Sequence, residues 1–416
     1  MTSSGTESRA SRDRDSKPRI PSGVWALGFV SLLMDASSEL IHALLPLYMV
    51  GPLGASMVVV GFVEGAAEAV AMIVKVFSGY WSDRVRRRKP LILVGYGLSA
   101  VSKLVFPLAP ALGWVIGGRI ADRIGKGIRG APRDALVADF TPEAVRGAAY
   151  GLRQSLDSVG AVAGPLLAIA GFAWFGGRFT EAFWVAVVPA ALCIVLIVVG
   201  VHERDDGSVR GSAAKRIAWR DAGRLGLRFW LVTAIAVMLT FARFSEAFLV
   251  LRGQADGLGT LDAPWVMVVM SMVYATVAWP AGRIADRGRI YALLSAGLAA
   301  LIASDVVLAL VPGPSGALVG AGLWGLHMAL TQGLLAMLVA ASAPPALRGT
   351  AFGVFNLFCG VALLVASVLA GILWQSCGAG ATFMTGAGLT GAAWLLLGAA
   401  YWRLPRLAAQ GSKGPA

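Results

Sequence analysis

The side chains of this sequence that could do chemistry are charged groups set inside apolar stretches. The densest set lies between residues 112 and 138: Arg119, Asp122, Arg123, Lys126, Arg129, Arg133 and Asp134. On a helix, at about 100° per residue, all seven fall within an arc of roughly 140°. A second set is Asp35, Glu39 and His42, spaced i, i+4 and i+7, within about 60° of one another. A third is Glu64, Glu68 and Lys75, within about 40°. A carboxylate in a partly dry cavity gains or loses a proton as its surroundings and its arginine partner change. Asp35, Glu39, Glu64 and Glu68 are therefore candidate proton carriers, and Arg119 and Arg123 candidate counter-charges. Asp35, Glu39 and His42 also offer oxygen and nitrogen donors, so a divalent cation is the alternative cargo or coupling ion.

These groups must be held by membrane-spanning helices. The 416 residues are 57% hydrophobic and only 14% charged, with a mean hydropathy of +0.72, whereas soluble domains average about 25% charged. Twelve apolar segments follow one another: near 24–49, 56–80, 90–110, 112–138, 148–174, 180–201, 229–251, 264–282, 290–311, 316–341, 349–374 and 381–402. Most have the roughly 20 residues that cross a bilayer. A charged helix face inside a membrane turns to protein or to a watery cavity.

The net charge of +13 does not indicate nucleic acid. Of the Lys and Arg residues outside the segments, 25 lie on one side of the implied membrane and two, Arg178 and Arg252, on the other. This asymmetry places the chain as a multi-pass protein of the inner (plasma) membrane, with both termini in the cytoplasm. Residues 1–23 lack the apolar region of a signal peptide and read as a disordered cytoplasmic terminus. Cys193, Cys359 and Cys377 are scattered without metal-ligand spacing.

The expected organisation is a six-helix bundle at 24–201, a basic cytoplasmic linker at 202–228, a second bundle at 229–402 and a tail at 403–416. A membrane-surface helix at 212–228 would face anionic headgroups. The halves repeat in the same orientation. Gly79-x-x-x-Asp83-Arg84 reappears as Gly282-x-x-x-Asp286-Arg287, VADFTPEAVRGAAYGL (137–152) as VAASAPPALRGTAFGV (339–354), and Ser38-Glu39 as Ser245-Glu246, with shifts of 203, 202 and 207. Parallel repeats of this kind imply two bundles about an axis along the membrane normal, with a site between them. Gly160, Gly164 and Pro165 mark a close helix approach beside the pair Arg153 and Asp157. Gly125-K-Gly127-I-R-Gly130 fits a dinucleotide-binding pattern, but it lies inside an apolar helix with no strand before it, so helix packing explains it.

The loop Gly79 to Lys89, with Asp83, Arg84, Arg87 and Arg88, resembles motif A of the major facilitator superfamily, with Arg86 where its second glycine usually stands. Arg123 and Gly127 are similar to motif B, with Lys126 replacing its glutamine. Gly160-A-V-A-Gly164-Pro165 resembles the core of motif C of drug/proton antiporters, without the glycine pair that follows it. The stretch RIGKGIRGAPRDALVADFTP looks like a bacterial subgroup of mostly unassigned substrates. The resemblance covers residues 20–403. It implies an all-α fold of two pseudo-symmetric six-helix bundles. It also implies a central cavity bringing together Asp35, Glu39, His42, the segment 4 face, Arg243, Glu246, His327 and Gln332, and a cytoplasmic gate at the two motif A loops. The expected protein is no enzyme. It is a monomeric secondary transporter of a small molecule, driven by an ion gradient (most simply protons) without a cofactor and leaning toward efflux. A receptor or scaffold that moves nothing would call for long soluble extensions.

Overall fold

The computed structural model describes residues 20–82, 84–85, 87–203, 223–285, 287–344 and 347–411. Among the described residues there is no strand. Twelve helices of membrane-crossing length succeed one another: α1 (Ser22–Val50), α2 (Met57–Ser82), α3 (Lys89–Leu108), α4 (Leu112–Phe140), α5 (Arg146–Trp174), α6 (Phe179–Gly200), α7 (Leu227–Ala255), α8 (Trp265–Ala285), α9 (Ile290–Leu310), α10 (Pro314–Ser342), α11 (Arg348–Cys377) and α12 (Ala379–Gly411). Eleven are long and apolar enough to cross a bilayer. The twelfth, α4, carries too many charges to qualify alone. Protein shields those charges from lipid: Arg119, Asp122, Arg123 and Arg129 are all buried, against α2 and α3.

The helices form two bundles, α1–α6 and α7–α12, with the same internal pairings. In the first, α1 packs on α5 and α6, and α4 on α2 and α3. In the second, α7 packs on α11 and α12, and α10 on α8 and α9. The bundles meet mainly through α2 against α11 and α5 against α8. Glycines make the first seam close. A Cβ on Gly65 would stand 2.9 Å from Leu364 Cα, and one on Gly353 3.1 Å from Val76 Cγ1.

Three helices differ from a plain rod or from the expected bounds. The α8 helix passes through Pro280 and continues to Ala285, because neighbours re-satisfy backbone groups freed by proline. The α7 helix breaks between Ala242 and Ala247 without glycine or proline. Ser245 sustains the break: its N–H donates to Ser367 Oγ of α11 at 3.2 Å, and its Oγ accepts from Ala247 N–H at 3.3 Å, capping the second half. The α12 helix runs through Gly411, into the stretch expected as a tail. Most of the expected linker (204–222), and with it most of the surface helix, lies outside the described residues, as do 1–19 and 412–416.

The apolar cores show which end is closed. Over one half of the molecule a single core joins both bundles, from Leu40–Met49 of α1 through Phe248 and Trp324 to Phe383. Over the other half, at the end where α1 begins and the basic loops lie, the bundles share no core: the first has one of its own and the second has two. The bundles are therefore sealed together at one end and parted at the other.

The candidate site: a central cavity backed by buried ion pairs

A cavity of about 420 Å³ lies between the bundles on the parted side, within the range of small-molecule sites. The first bundle supplies most of its charge, from Asp35, Glu39, Glu68, Lys75, Lys126, Arg129, Arg133 and Asp157. The second supplies Glu246, Met270, Ser271, Tyr274, Met328 and Gln332. One wall is thus ionic, and the other is largely uncharged, with a single carboxylate.

Behind the ionic wall runs a chain of close contacts. Glu39 Oε2 lies 3.3 Å from His42 Nδ1, His42 Nε2 lies 3.4 Å from Glu64 Oε2, and Arg119 donates to that same Glu64 oxygen at 2.6 Å. Glu39 faces the cavity, while Glu64 and Arg119 are buried. Beside this chain, Arg123 pairs with Glu68 at 3.2 Å. A second network lies nearer the open end. Arg129 stands 3.7 Å from Asp35, donates to Ser99 Oγ at 2.7 Å and covers the Tyr96 ring at 4.6 Å. Arg133 donates to Ser31 Oγ at 2.6 Å. Arg153 joins Asp157 at 2.9 Å and Asp134 at 3.4 Å. The expected Arg153–Asp157 pair is thus one edge of a wider network.

Several expected positions are corrected. The charged face of α4 does not line the cavity as a unit. An arc of roughly 140° is wider than one wall, so Arg119 and Arg123 turn to α2, Asp122 turns to α3, and only Lys126, Arg129 and Arg133 of the charged set reach the cavity. Asp122 pairs at 2.9 Å with Lys103, which also donates to Ser38 Oγ at 3.0 Å. Lys103 escaped the sequence reading although it is the one charged residue between 90 and 110, which was signal enough. His327 does not line the cavity either. It is buried and its Nδ1 bonds Gly297 O at 2.8 Å. Arg243 stands half-buried at the break in α7, while Glu246 and Gln332 reach the cavity wall. The alternative metal triad is not assembled. Asp35 belongs to Arg129, and it is two helical turns, about 10 Å, from His42. Among the described residues no group of three or more His, Cys, Asp or Glu is arranged to hold a metal ion.

Glycines set these distances. A Cβ on Gly164 would lie 2.6 Å from Glu39 Cβ and 2.8 Å from Ala36 O, and one on Gly160 would lie 2.6 Å from Leu32 O. The α5 helix therefore presses directly beneath Asp35 and Glu39. Gly164→Val should cost about 1–3 kcal/mol by overpacking, read as a lowered melting temperature in detergent. An unchanged melting temperature would show that this contact is soft. The nucleotide-like glycines also serve packing: a Cβ on Gly125 would lie 2.6 Å from Gly95 O, and one on Gly127 2.7 Å from Val74 Cβ.

In the motif A loops, Asp83 and Asp286 lie outside the described residues. Gly79 and Gly282 are not sites of tight approach. A Cβ on Gly79 would make ordinary contact with Ala131 at 3.6 Å, and one on Gly282 would meet nothing within 4 Å. Arg84 covers the Tyr80 ring at 4.0 Å. Arg88 ties three elements together. Its guanidinium reaches Asp139 of α4 and Ser82 of α2, and its N–H donates to Glu203, just beyond α6, at 2.9 Å. Arg87 and Arg287 lie in the loops that begin α3 and α9.

Two helical bundles, twelve spanning helices and a polar cavity at their interface define a multi-pass membrane transporter, not an enzyme. Residues 27–367 match the family described as the Major Facilitator Superfamily, and the chain belongs to it. It is 29% identical over 386 residues to an uncharacterized MFS-type transporter of Methanocaldococcus jannaschii, covering 89% of this chain and 92% of that one. It is 30% identical over 367 residues to an uncharacterized protein of Mycobacterium bovis, covering 85% and 86%. In fold it is similar to the crystal structure of a nucleoside transporter, with a TM-score of 0.76 at 14% identity, covering 91% of this chain and 99% of that one.

Proposed function

We propose that the protein is a proton-coupled exporter of a small organic solute, working by alternating access as a monomer in the inner membrane with both termini in the cytoplasm. The observation that carries the reading is the chain Glu39–His42–Glu64–Arg119. It runs from the cavity wall to a buried guanidinium, with an imidazole between two carboxylates. An imidazole takes a proton at one nitrogen and releases one at the other. Closing the cavity or opening it to the other side changes the hydration of Glu39, and so its hold on a proton. The basic loops support the orientation, with the parted end cytoplasmic. Gly160 and Gly164, which resemble the antiporter motif, support the outward direction.

The unpaired groups of the cavity suggest the solute. Asp35, Glu39, Glu68 and Asp157 each have a cationic or histidine partner. Lys75, Lys126 and Glu246 have no ion pair within 4 Å among the described residues. An amphipathic zwitterion or anion fits this arrangement, with its acidic group toward Lys75 and Lys126 and its apolar body against Met270, Tyr274 and Met328. A panel of organic anions, zwitterions, cations and divalent metals tests the reading by thermal stabilisation of the detergent-solubilised protein, since a ligand that binds the folded state raises its apparent stability. Zwitterions or anions should stabilise wild type, and Lys126→Met should remove the effect. Stabilisation by divalent metals alone would overturn the reading.

A further inference from the structure

Asp305, in the second half of α9, takes no part in the site described above. It is 0% exposed, and neither carboxylate oxygen has a hydrogen-bond partner. The titratable groups on the surrounding helices are engaged elsewhere. Glu246 and Tyr274 line the cavity, with Arg243 in electrostatic reach of both. Arg252 pairs with Asp256 at 2.9 Å, His327 bonds Gly297, Arg283 covers the Trp279 ring and Arg228 sits at the inner end of α7. Residues 379–399 of α12 contain no titratable group.

The internal repeat shows what is different here. Lys103 and Asp122 lie 202 positions before Asp305 and Trp324, the shift that also relates residues 137–152 to 339–354. In the first bundle the two positions hold an ammonium and a carboxylate 2.9 Å apart. In the second they hold a carboxylate and an indole whose buried N–H has no partner. The second bundle thus sets a carboxylate where the first has its ammonium and an indole where the first has its carboxylate, so the buried ion pair is gone. A second oxygen faces the same place. The point where a Cβ on Gly386 would stand is 2.9 Å from Asp305 Oδ2 and 3.3 Å from Ala242 O, the carbonyl that ends the first half of broken α7. An isolated carboxylate in such surroundings is too costly to keep charged and takes up a proton or a metal ion.

We infer that Asp305 and the Ala242 carbonyl form an exchangeable site for a monovalent cation, a proton or a sodium ion, at the break in α7. The inference does not rest on the Glu39–His42–Glu64 chain. Dicyclohexylcarbodiimide, which modifies protonated carboxyls in apolar surroundings, tests it on the full-length protein in detergent. Adduct at Asp305 is quantified by mass spectrometry between about pH 5.5 and 9 in choline chloride, and at fixed pH with added sodium chloride. If the proton is the ion, adduct falls by about tenfold or more across the range. If sodium is the ion, sodium suppresses labelling and choline does not. Labelling that neither pH nor sodium changes, including none at all, overturns the inference. Asp305→Asn provides the second arm, because the amide keeps the shape of the neutral acid. The dependence of its melting temperature on pH or sodium should be smaller than wild type's, and an unchanged dependence would also overturn it. The labelling is read at Asp305 itself and does not involve the first bundle's chain, so it holds even if that chain carries no proton.

Discussion

Replacing Arg119 with leucine is expected to destabilise the protein by about 3–5 kcal/mol and to abolish transport, because it strands a buried charge. Glu64 is 1% exposed and Arg119 0%. Their 2.6 Å contact is the anchor of the chain that reaches the cavity through His42 and Glu39. The guanidinium also lies on the α4 face that packs against α2, so its loss leaves the buried carboxylate with His42 as its remaining close partner. Truncating both partners together has a different consequence. Well-packed apolar residues often replace a buried pair at little cost, so Arg119→Leu with Glu64→Leu should recover most of the stability and none of the proton dependence. Thermal melting in detergent separates the two outcomes. A single variant as stable as wild type would mean that His42 alone is enough to hold the Glu64 carboxylate.

The second large effect is expected at the seam between the bundles. Gly65→Leu should stop transport while leaving each bundle folded. A Cβ alone at this position would approach Leu364 Cα to 2.9 Å and Leu364 O to 3.1 Å, so a whole side chain must push α2 away from α11. These two helices form the longest contact between the bundles, which have to rock against each other for the cavity to face both sides. Circular dichroism should keep its helical content, ligand-induced stabilisation should persist, and flux should vanish. Wild-type flux in Gly65→Leu would show that the seam is not a bearing surface.

Much of this architecture was legible in the sequence, because the physics behind it is one-dimensional. Apolar length fixes the spans, lysine and arginine asymmetry orders the loops, and the repeat of Gly79–Arg84 at Gly282–Arg287 shows two related halves. Directions within the bundle were not legible to the same degree. The helical wheel placed Arg119, Asp122, Arg123 and Lys126 together. Only the packing of α2 on one side and α3 on the other decides that Asp122 meets Lys103 while Lys126 meets the cavity. The break in α7 carries no glycine or proline, and the hydroxyls that sustain it come partly from Ser367, 122 positions away. His327 looked like a cavity residue by its segment, yet Gly297 O holds its ring on the far side of α10 from that wall. Lys103 and Asp305 are a different case. Each is the one charged residue in an otherwise apolar segment, a signal that was present in the sequence although the reading passed over both.

Proton flux measured in vesicles tests the central claim most directly. The protein is reconstituted with a pH-sensitive dye enclosed, and the solute that stabilises it most is added under an imposed proton gradient. Wild type should move protons and solute in a fixed ratio, and His42→Gln should still bind the solute but move it without protons. Transport by wild type that ignores the gradient, or proton movement undiminished in His42→Gln, would contradict the account.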